Sequence, residues 1–421
     1  MQYLIIGAGP AGVIAAEKVR QLDPSASITL VGDEPEPPYS RMAIPYYLTR
    51  KIDESGTYLR KQPGYFEALN IDVVQGRVAS VDAAAKSITL GGEKRSYDRL
   101  LVATGSRPIL PPVPGIDHPQ VSRRVSNCWT LDDARRIADG VHSGARVVLI
   151  GAGFVGSIIL ESLVSRGAQL TVIEMGDRMV PRMLDERCGR MLQRWCEKQG
   201  VRVLTSARVS AMEEQGGSLE VSVEGREPIT ADYVICATGV RANTEFLDGS
   251  GVETGDGATD GVIVDEYLAA STDGVFAAGD VARGRDFSTG GYSVQAIQPT
   301  AVEHGRIAAG NMVNNKSVRH SGSLSMNVLD TLGLVSSSFG LWQGVDGGES
   351  SELVDEENYR YLRLQFQGEH LVGANTLGLT DHLGVLRGLI QNRQPLGKWK
   401  GRLIHNPLQI AEAYIGLSQG R

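Results

Sequence analysis

The chain has 421 residues, of which 42% are hydrophobic and 22% charged, a balance typical of a soluble globular protein with two or three domains. Its net charge of −7 argues against nucleic acid as a partner, and no apolar run reaches the roughly 18–20 residues of a membrane span. The chain starts on a strand rather than a signal peptide, and its four cysteines form no CxxC pair. We therefore expect a cytoplasmic protein that holds no metal.

The first motif is a βαβ unit at the start of the chain. Residues 2–6 (QYLII) predict a buried strand, a helix follows from about Pro10 to Leu22, and SITLVGDE predicts the next strand. The intervening turn GAGPAG has the GxGxxG spacing that permits a tight turn, lets the backbone approach a pyrophosphate and lets the helix pack closely on the strand. An acid about 20 residues further on can accept ribose hydroxyls. The predicted dinucleotide contacts are Gly7, Gly9, Pro10, Ala11, Gly12, Asp33 and Glu34.

The same pattern returns 144 residues later, which indicates an internal duplication. RVVLIGAGFVG is followed by a helix to about Arg166 and then by the strand QLTVIEMGD. Glu174 ends that strand, where a carboxylate bonds the ribose 2′-hydroxyl and repels a 2′-phosphate. This favours NADH over NADPH, although Arg178 lies close in the sequence. The predicted contacts of the second dinucleotide are Gly151, Gly153, Phe154, Val155, Gly156 and Glu174.

Short strands and one long helix are predicted around the two motifs. Residues 70–100 predict short antiparallel strands closing on a central one, and residues 200–240 repeat that pattern. GVFAAGD (274–280) predicts another buried strand, followed by a helix from about Pro299 to Val313. Residues 320–421 predict a third region of strands that continues into a helix near 382–391.

The order of these motifs resembles the pyridine nucleotide–disulphide oxidoreductase family. The resemblance is carried by GAGPAG, YDRLLVATG, GAGFVG, CATGVRAN and VFAAGD, and it covers essentially the whole chain. It implies an α/β fold with two Rossmann-like dinucleotide-binding domains, one for FAD and one for NADH, and a C-terminal α+β interface domain. The implied FAD domain comprises 1–116 and 246–318, the NADH domain 117–245 and the interface domain 319–421.

The resemblance also implies FAD contacts beyond the first glycine turn. Asp280 would hold the ribitol or pyrophosphate region, and a helix beginning near Thr300 would point its N-terminus at the flavin. His304, further along that helix, is a candidate for the flavin's pyrimidine edge. The further implied FAD residues are Arg41, Val78, Ala103, Thr104, Gly105, Gly279, Asp280, Pro299 and Thr300. Gly239 joins the implied NADH residues.

The segment PPYSRMAIPYYL (37–48) departs from the family in its chemistry. Coenzyme A disulfide reductases and NADH oxidases carry a redox cysteine in a CGLPYY-like stretch, but here Met42 occupies that position. Because a thioether forms no thiolate or sulfenate, we predict catalysis without a cysteine.

Rubredoxin and ferredoxin reductases carry a PYxRPPLSK-like stretch at the same place. Arg41 matches its FAD-contacting arginine, whereas Tyr46 and Ile158 replace the lysine–glutamate pair near the flavin. Joint loss of both charges avoids a buried unpaired charge, so we predict Tyr46 and Ile158 at the flavin N5 face. If the alignment with these reductases is shifted by one helical turn, Glu161 lies at that position instead.

Together these features predict an FAD-dependent NADH oxidoreductase that passes electrons to a separate acceptor. The acceptor would be a rubredoxin- or ferredoxin-like carrier, a partner subunit or a small molecule, and we expect a homodimer or a subunit of a redox complex. Two alternatives stay open: an NADH oxidase that forms hydrogen peroxide, and an NADH-sensing redox scaffold. The sequence is compatible with each of these acceptors.

Overall fold

Two five-stranded parallel sheets, one in each of two units of the chain, organise the fold. The computed structural model describes residues 1–257 and 260–420. The first unit comprises 1–108 and 240–323, and the second comprises 109–239 and 324–421. Each unit contains one of the two predicted βαβ motifs.

The central strand of the first unit is the predicted QYLII run, Gln2–Ile6, of which all but the first residue are buried. A continuous apolar run suits a parallel strand that is covered on both faces. Helix Pro10–Leu22 has the predicted bounds, and helix Gln298–Asn314 packs against it. The strands of this parallel sheet are, in spatial order, Val275–Ala277, Arg99–Val102, Gln2–Ile6, Ser27–Gly32 and Ile71–Gln75.

The prediction for residues 70–100 was right only for the middle of that segment. Ile71–Gln75 and Arg99–Val102 join the parallel sheet instead of forming antiparallel pairs. Ile71–Gln75 is an edge strand in which only Ile71 is buried, so it lacks the continuous apolar run that is typical of a central parallel strand. The antiparallel sheet between them consists of Val78–Asp82, Ser87–Leu90 and Glu93–Ser96.

The second unit repeats this arrangement, which confirms the predicted duplication of the Rossmann-like fold. Arg146–Ile150 is its central strand, and helix Phe154–Ser165 follows the glycine turn. The parallel strands, in spatial order, are Arg202–Leu204, Gln169–Ile173, Arg146–Ile150, Tyr233–Cys236 and Val125–Ser126. A three-stranded antiparallel sheet is formed by Val209–Gln215, Ser218–Val223 and Ile229–Ala231.

Residues from 324 onward add an antiparallel sheet and three helices to the second unit. The buried side chains of Phe339, Tyr361 and Phe366 form part of its core. The strands, in spatial order, are Met326–Thr331, Leu334–Gly340, His370–Leu377, Arg360–Gln367 and Glu349–Asp355, and the helices are Leu383–Gln391, Lys398–His405 and Ile410–Ser418. The fold class is therefore the predicted α/β architecture with a C-terminal α+β region.

The remaining elements are short. Strands Ser106–Pro108 and Val240–Ala242 pair antiparallel within the first unit. A second small sheet there contains Val262–Ile263, Ala282–Arg285 and Tyr292–Val294. The other helices are Ile44–Leu48, Tyr65–Ala68, Pro119–Ser122, Leu131–Gly140 and Glu186–Lys198, with 3₁₀ turns at Arg41–Ala43, Glu54–Thr57, Glu245–Leu247, Gly279–Val281 and Pro407–Gln409. Among the described helices, none has the length and apolarity that crossing a bilayer requires.

Candidate dinucleotide sites

The first glycine turn leaves an open approach to the start of a helix. Gly7 has φ +115°, and a Cβ there would overlap the carbonyl of Ala103. A Cβ on Gly12 would overlap the carbonyl of Gly7, so these two glycines are required by packing. In contrast, a Cβ on Gly9 would have no atom of the described chain within 4 Å. Gly9 is also the N-cap of helix Pro10–Leu22, and no described side chain caps it. The turn thus offers unpaired N–H groups to an anion.

The late GD motif lies against this turn. Gly279 has φ +78°, and a Cβ there would lie 3.2 Å from the Ala11 Cβ and 3.4 Å from the Ala301 Cβ. Ala301 belongs to helix Gln298–Asn314, in which Pro299 is exposed and Thr300 is buried. The fold therefore brings three segments, predicted separately from the sequence, into contact within one unit.

Asp280 follows Gly279, and a serine hydroxyl donates to its carboxylate. The Ser106 hydroxyl donates to Asp280 Oδ2 over 2.8 Å. Burial raises the pKa of Asp280, while the hydrogen bond from Ser106 and the charge of Arg41 oppose that rise. A buried carboxylate is stabilised by further donors, and the hydroxyls of a ribitol chain are donors of this kind.

The ATG turn is the third part of the same site. Gly105 has φ +65°, and the carbonyl of Ala103 lies under Gly7. The Thr104 hydroxyl donates to the carbonyl of Asn243 over 2.8 Å, and the Asn243 amide donates back to the Thr104 carbonyl over 2.9 Å. Sequence reasoning did not select Asn243, and its only signal was the last letter of CATGVRAN.

The two acidic residues that follow strand Ser27–Gly32, Asp33 and Glu34, differ from each other in their surroundings. Arg41 donates to the Glu34 carboxylate over 2.6 Å and to the Tyr39 hydroxyl oxygen over 2.8 Å. The Tyr39 hydroxyl in turn donates to Glu34 over 2.5 Å. Burial would lower the pKa of Arg41, but Tyr39 and Glu34 raise it on balance. Asp33 is exposed. Val78 is buried in the neighbouring antiparallel sheet.

The second glycine turn has the same geometry as the first. Gly151 has φ +98°, and a Cβ there would overlap the carbonyl of Ala237, while one on Gly156 would overlap the carbonyl of Gly151. A Cβ on Gly153 would meet none of the described atoms within 4 Å. Gly153 begins the helix that contains half-buried Phe154 and Val155. Gly239 has φ +110°, and its carbonyl accepts the Ile109 N–H over 2.9 Å.

Glu174 is held at the rim of this turn. Its carboxylate accepts the N–H of Ala152 and the N–H of Gly176, each over 2.7 Å. Arg178 is anchored elsewhere, because it donates to the Leu184 carbonyl over 3.1 Å and binds Asp177 over 2.7 Å. Arg178 therefore contributes to the structure of its own loop.

The strand registers relate Glu174 to the first unit. Ile150 pairs with Ile173, and Ile6 pairs with Val31. Glu174 and Gly32 are thus equivalent positions. The first unit has a glycine where the second has its acid, and Asp33 and Glu34 follow it.

The residues predicted at the flavin N5 face have these surroundings. Tyr46 is 54% exposed on helix Ile44–Leu48, and Met42 is 45% exposed in the turn before it. In the second unit Ile158 is half-buried on helix Phe154–Ser165, as is Glu161 one turn later.

All four cysteines are buried in the second unit. Residues 1–108 and 240–323 contain none. Burial raises the pKa of every thiol, to about 12 for Cys196 and Cys236 and also upward for Cys128 and Cys188. Since the thiolate is the reactive form, these thiols are suited to packing rather than to redox chemistry.

His304 is a core residue of the first unit. Only 2% of it is exposed, and its ring lies 4.8 Å from that of His320, edge to face. Neither ring nitrogen of His304 has a hydrogen-bond partner within the described chain. Burial, together with His320, lowers the pKa of His304 to about 3. His304 is therefore a neutral imidazole at physiological pH.

The chain is similar to several known proteins. The chain is 30% identical over 415 residues to the NADH-dependent phenylglyoxylate dehydrogenase subunit epsilon of Aromatoleum evansii, covering 97% of this chain and 96% of the relative. It is 32% identical over 284 residues to the probable ferredoxin reductase CtmF of Castellaniella defragrans, covering 66% and 67%. The structure of an NAD-dependent persulfide reductase from A. fulgidus superposes with a TM-score of 0.85 at 26% identity, covering 94% of this chain and 78% of that one.

The family model for pyridine nucleotide-disulphide oxidoreductases matches residues 1–305. That span includes both glycine turns, the ATG turn and the GD motif. The protein is therefore a member of the pyridine nucleotide–disulphide oxidoreductase family, whose members are FAD-dependent NAD(P)H oxidoreductases.

Proposed function

We propose that the protein transfers electrons from NADH, through FAD, to a separate protein carrier or partner subunit without using a cysteine. The observation that carries the proposal is which of the two units contains the glycine cradles and which contains the cysteines. The first has a complete glycine cradle and no cysteine, and the second has a complete cradle and only buried cysteines. When bound, FAD supplies the redox chemistry by accepting a hydride from NADH and passing electrons onward.

In this proposal the first unit holds FAD. The open side of Gly9 and the free helix N-terminus receive the pyrophosphate. Asp280 accepts ribitol hydroxyls, since its burial favours additional donors. The start of helix Gln298–Asn314 directs its positive end toward the flavin ring, where the family resemblance puts Thr300. Exposed Asp33 is the acid available to the adenosine ribose, because Glu34 is paired with Arg41.

The second unit binds NADH in preference to NADPH. Two backbone N–H groups orient the Glu174 carboxylate at the edge of the glycine turn. A carboxylate there accepts a ribose 2′-hydroxyl and repels a 2′-phosphate. Arg178 donates to the Leu184 carbonyl and pairs with Asp177, and this attachment to its own loop supports NADH over NADPH.

The relatives support a protein acceptor. One is named a ferredoxin reductase, and another is named as a subunit of an NADH-dependent dehydrogenase. We infer that an iron–sulfur carrier or a partner subunit receives the electrons. Tyr46 and Ile158 are the residues we assign to the flavin N5 face, with exposed Met42 at the place of the family's redox cysteine.

Thiol titration during anaerobic reduction tests the cysteine-free route. The holoenzyme is denatured and its thiols counted before and after one equivalent of NADH, and we expect four in both samples. Two thiols before reduction and four after it would show that a disulfide takes part. Reoxidation is then followed with ferredoxin, rubredoxin or air, and rapid formation of hydrogen peroxide with no acceleration by a carrier would replace the proposal with an oxidase.

A further inference from the structure

We propose that Asn243 is a positioning residue for FAD, because it ties the ATG turn to the strand pair Ser106–Pro108 and Val240–Ala242. The inference deepens the proposed function and rests on it, since it takes the first unit as the FAD site. Asn243 directly follows Val240–Ala242 and is half-buried. It lies 139 residues from Thr104 in the chain.

Three hydrogen bonds join Asn243 to the ATG turn. Its carbonyl accepts the Thr104 hydroxyl over 2.8 Å, its side-chain amide donates to the Thr104 carbonyl over 2.9 Å, and its N–H donates to the Gly105 carbonyl over 3.0 Å. The turn is thus held from one side by a single residue. Because the Ala103 carbonyl lies directly under Gly7, the position of the ATG turn also sets the position of Gly7, the first glycine of the GAGPAG turn.

The side chain of Asn243 is oriented from its other end by Arg107. Arg107 donates to Asn243 Oδ1 over 2.6 Å and also binds Glu245. The amide therefore needs an acceptor toward Arg107 and a donor toward Thr104. Asparagine supplies both, whereas aspartate would place an oxygen against the Thr104 carbonyl.

The strand pair extends the connection to the GD motif. Ser106 pairs with Ala242, and the Ser106 hydroxyl donates to Asp280. The glycine turn, the ATG turn and the GD motif are consequently linked through one short antiparallel pair. A change at Asn243 loosens the turn under Gly7 without removing any group that touches FAD in the proposed site.

The test measures FAD retention in Asn243→Asp and in Thr104→Val. For each purified holoenzyme, FAD dissociation is followed by the rise in flavin fluorescence at 20 °C, and the visible absorption band is recorded. We expect about tenfold faster dissociation for either variant, the scale of losing a hydrogen bond to a buried partner. Thr104→Ser keeps the hydroxyl and should restore wild-type retention, and Asn392→Asp, an exposed position in the second unit, is the matched control.

The outcomes separate this inference from the proposed function. Wild-type protein that takes up no FAD would end the proposed function. Wild-type retention in both Asn243→Asp and Thr104→Val, with FAD bound normally by the parent, would overturn the positioning role alone. A general loss of stability would lower the unfolding temperature of the apoprotein but leave the FAD dissociation rate at 20 °C and the absorption band unchanged. That result would also overturn it. If Asn243→Asp does not fold, Arg107→Met decides the question by the same measurement, because it removes the donor to Asn243 Oδ1 and leaves every assigned FAD contact in place.

Discussion

At the scale of single residues, we propose that one carboxylate, Glu174, determines which nicotinamide dinucleotide the second unit binds. Glu174 is fixed by the N–H groups of Ala152 and Gly176, so its charge is presented in one direction. A preorganised charge discriminates better than a mobile one, because little reorganisation is needed on binding.

Replacing Glu174 with alanine is expected to raise the KM for NADH at least tenfold, since a charged hydrogen bond to the ribose contributes about 1.5–3 kcal/mol. The preference for NADH over NADPH should fall at the same time because the repulsion of the 2′-phosphate disappears. FAD content, read from the visible spectrum, should stay as in the parent. Glu213→Ala, an exposed change in the same unit, is the control. Unaltered NADH kinetics in Glu174→Ala would remove this residue from the site.

His304 provides a pH-dependent prediction. Its pKa is lowered to about 3 in the folded protein from an ordinary value of 6.5. Between these pH values the unfolded chain binds more protons than the folded one. The contribution of His304 to the free energy of unfolding is therefore fully present above pH 6.5 and is lost as the pH falls below that value. The expected loss from this residue is about 2 kcal/mol between pH 8 and pH 5.

The measurement is urea unfolding of the parent, His304→Leu and His142→Gln at pH 8, 6 and 5. His142 is exposed, and its replacement is the matched histidine control. His304→Leu should flatten the decline between pH 6.5 and 5. Neighbouring Glu303, His320 and Arg285 are present in all three proteins, so comparing them isolates His304. Parallel declines in parent and His304→Leu would contradict the expectation.

At the scale of elements, the two glycine turns separate packing from binding. Gly9 and Gly153 have φ values of −79° and −73°, which alanine adopts freely, and the space beside each is open in the described chain. Gly12 and Gly156 instead face the carbonyls of Gly7 and Gly151. We therefore propose that the motif contains glycines required for ligand binding, Gly9 and Gly153, and glycines required for packing, Gly12 and Gly156.

Alanine at Gly9 is expected to weaken FAD binding about tenfold while the apoprotein unfolds at its usual temperature, because the methyl group occupies only the ligand's approach. Alanine at Gly153 should raise the KM for NADH and leave FAD bound. Gly12→Ala should lower apoprotein stability by several kcal/mol, since helix and strand must separate. Calorimetry of the apoproteins and FAD titration distinguish these effects. Equal destabilisation by Gly9→Ala and Gly12→Ala would refute the division.

The elements differ in how well the sequence predicts them. Helix Pro10–Leu22 was predicted to the residue because a glycine turn, Pro10 and a run of apolar positions all agree. Ile71–Gln75 was misassigned because an exposed edge strand of a parallel sheet lacks the continuous apolar run of a central one. Asn243 was missed because its partner Thr104 is 139 residues away, and no local pattern encodes such a hydrogen bond. The sequence motifs predicted the separate segments of the proposed FAD site, whereas the hydrogen bonds between those segments are visible only in the structure.

At the scale of the whole molecule, we propose that the protein transfers electrons without using its cysteines. The four thiols lie in the second unit and are buried. Their raised pKa values keep them protonated at neutral pH. The proposed route from NADH to the acceptor therefore passes no thiol, and this can be tested by removing all of them.

A variant with Cys128, Cys188, Cys196 and Cys236 all replaced by alanine should keep its NADH-dependent turnover with an artificial one-electron acceptor within about threefold of the parent. Each replacement leaves a small cavity that costs about 1 kcal/mol, so the variant should unfold at a lower temperature and is assayed well below it. The four single variants serve as a second series if the combined protein folds poorly. A loss of turnover beyond a hundredfold in any of them, with FAD still bound and the fold intact, would show that a cysteine carries electrons. Retained turnover together with a constant thiol count on reduction would leave the flavin as the enzyme's own redox group.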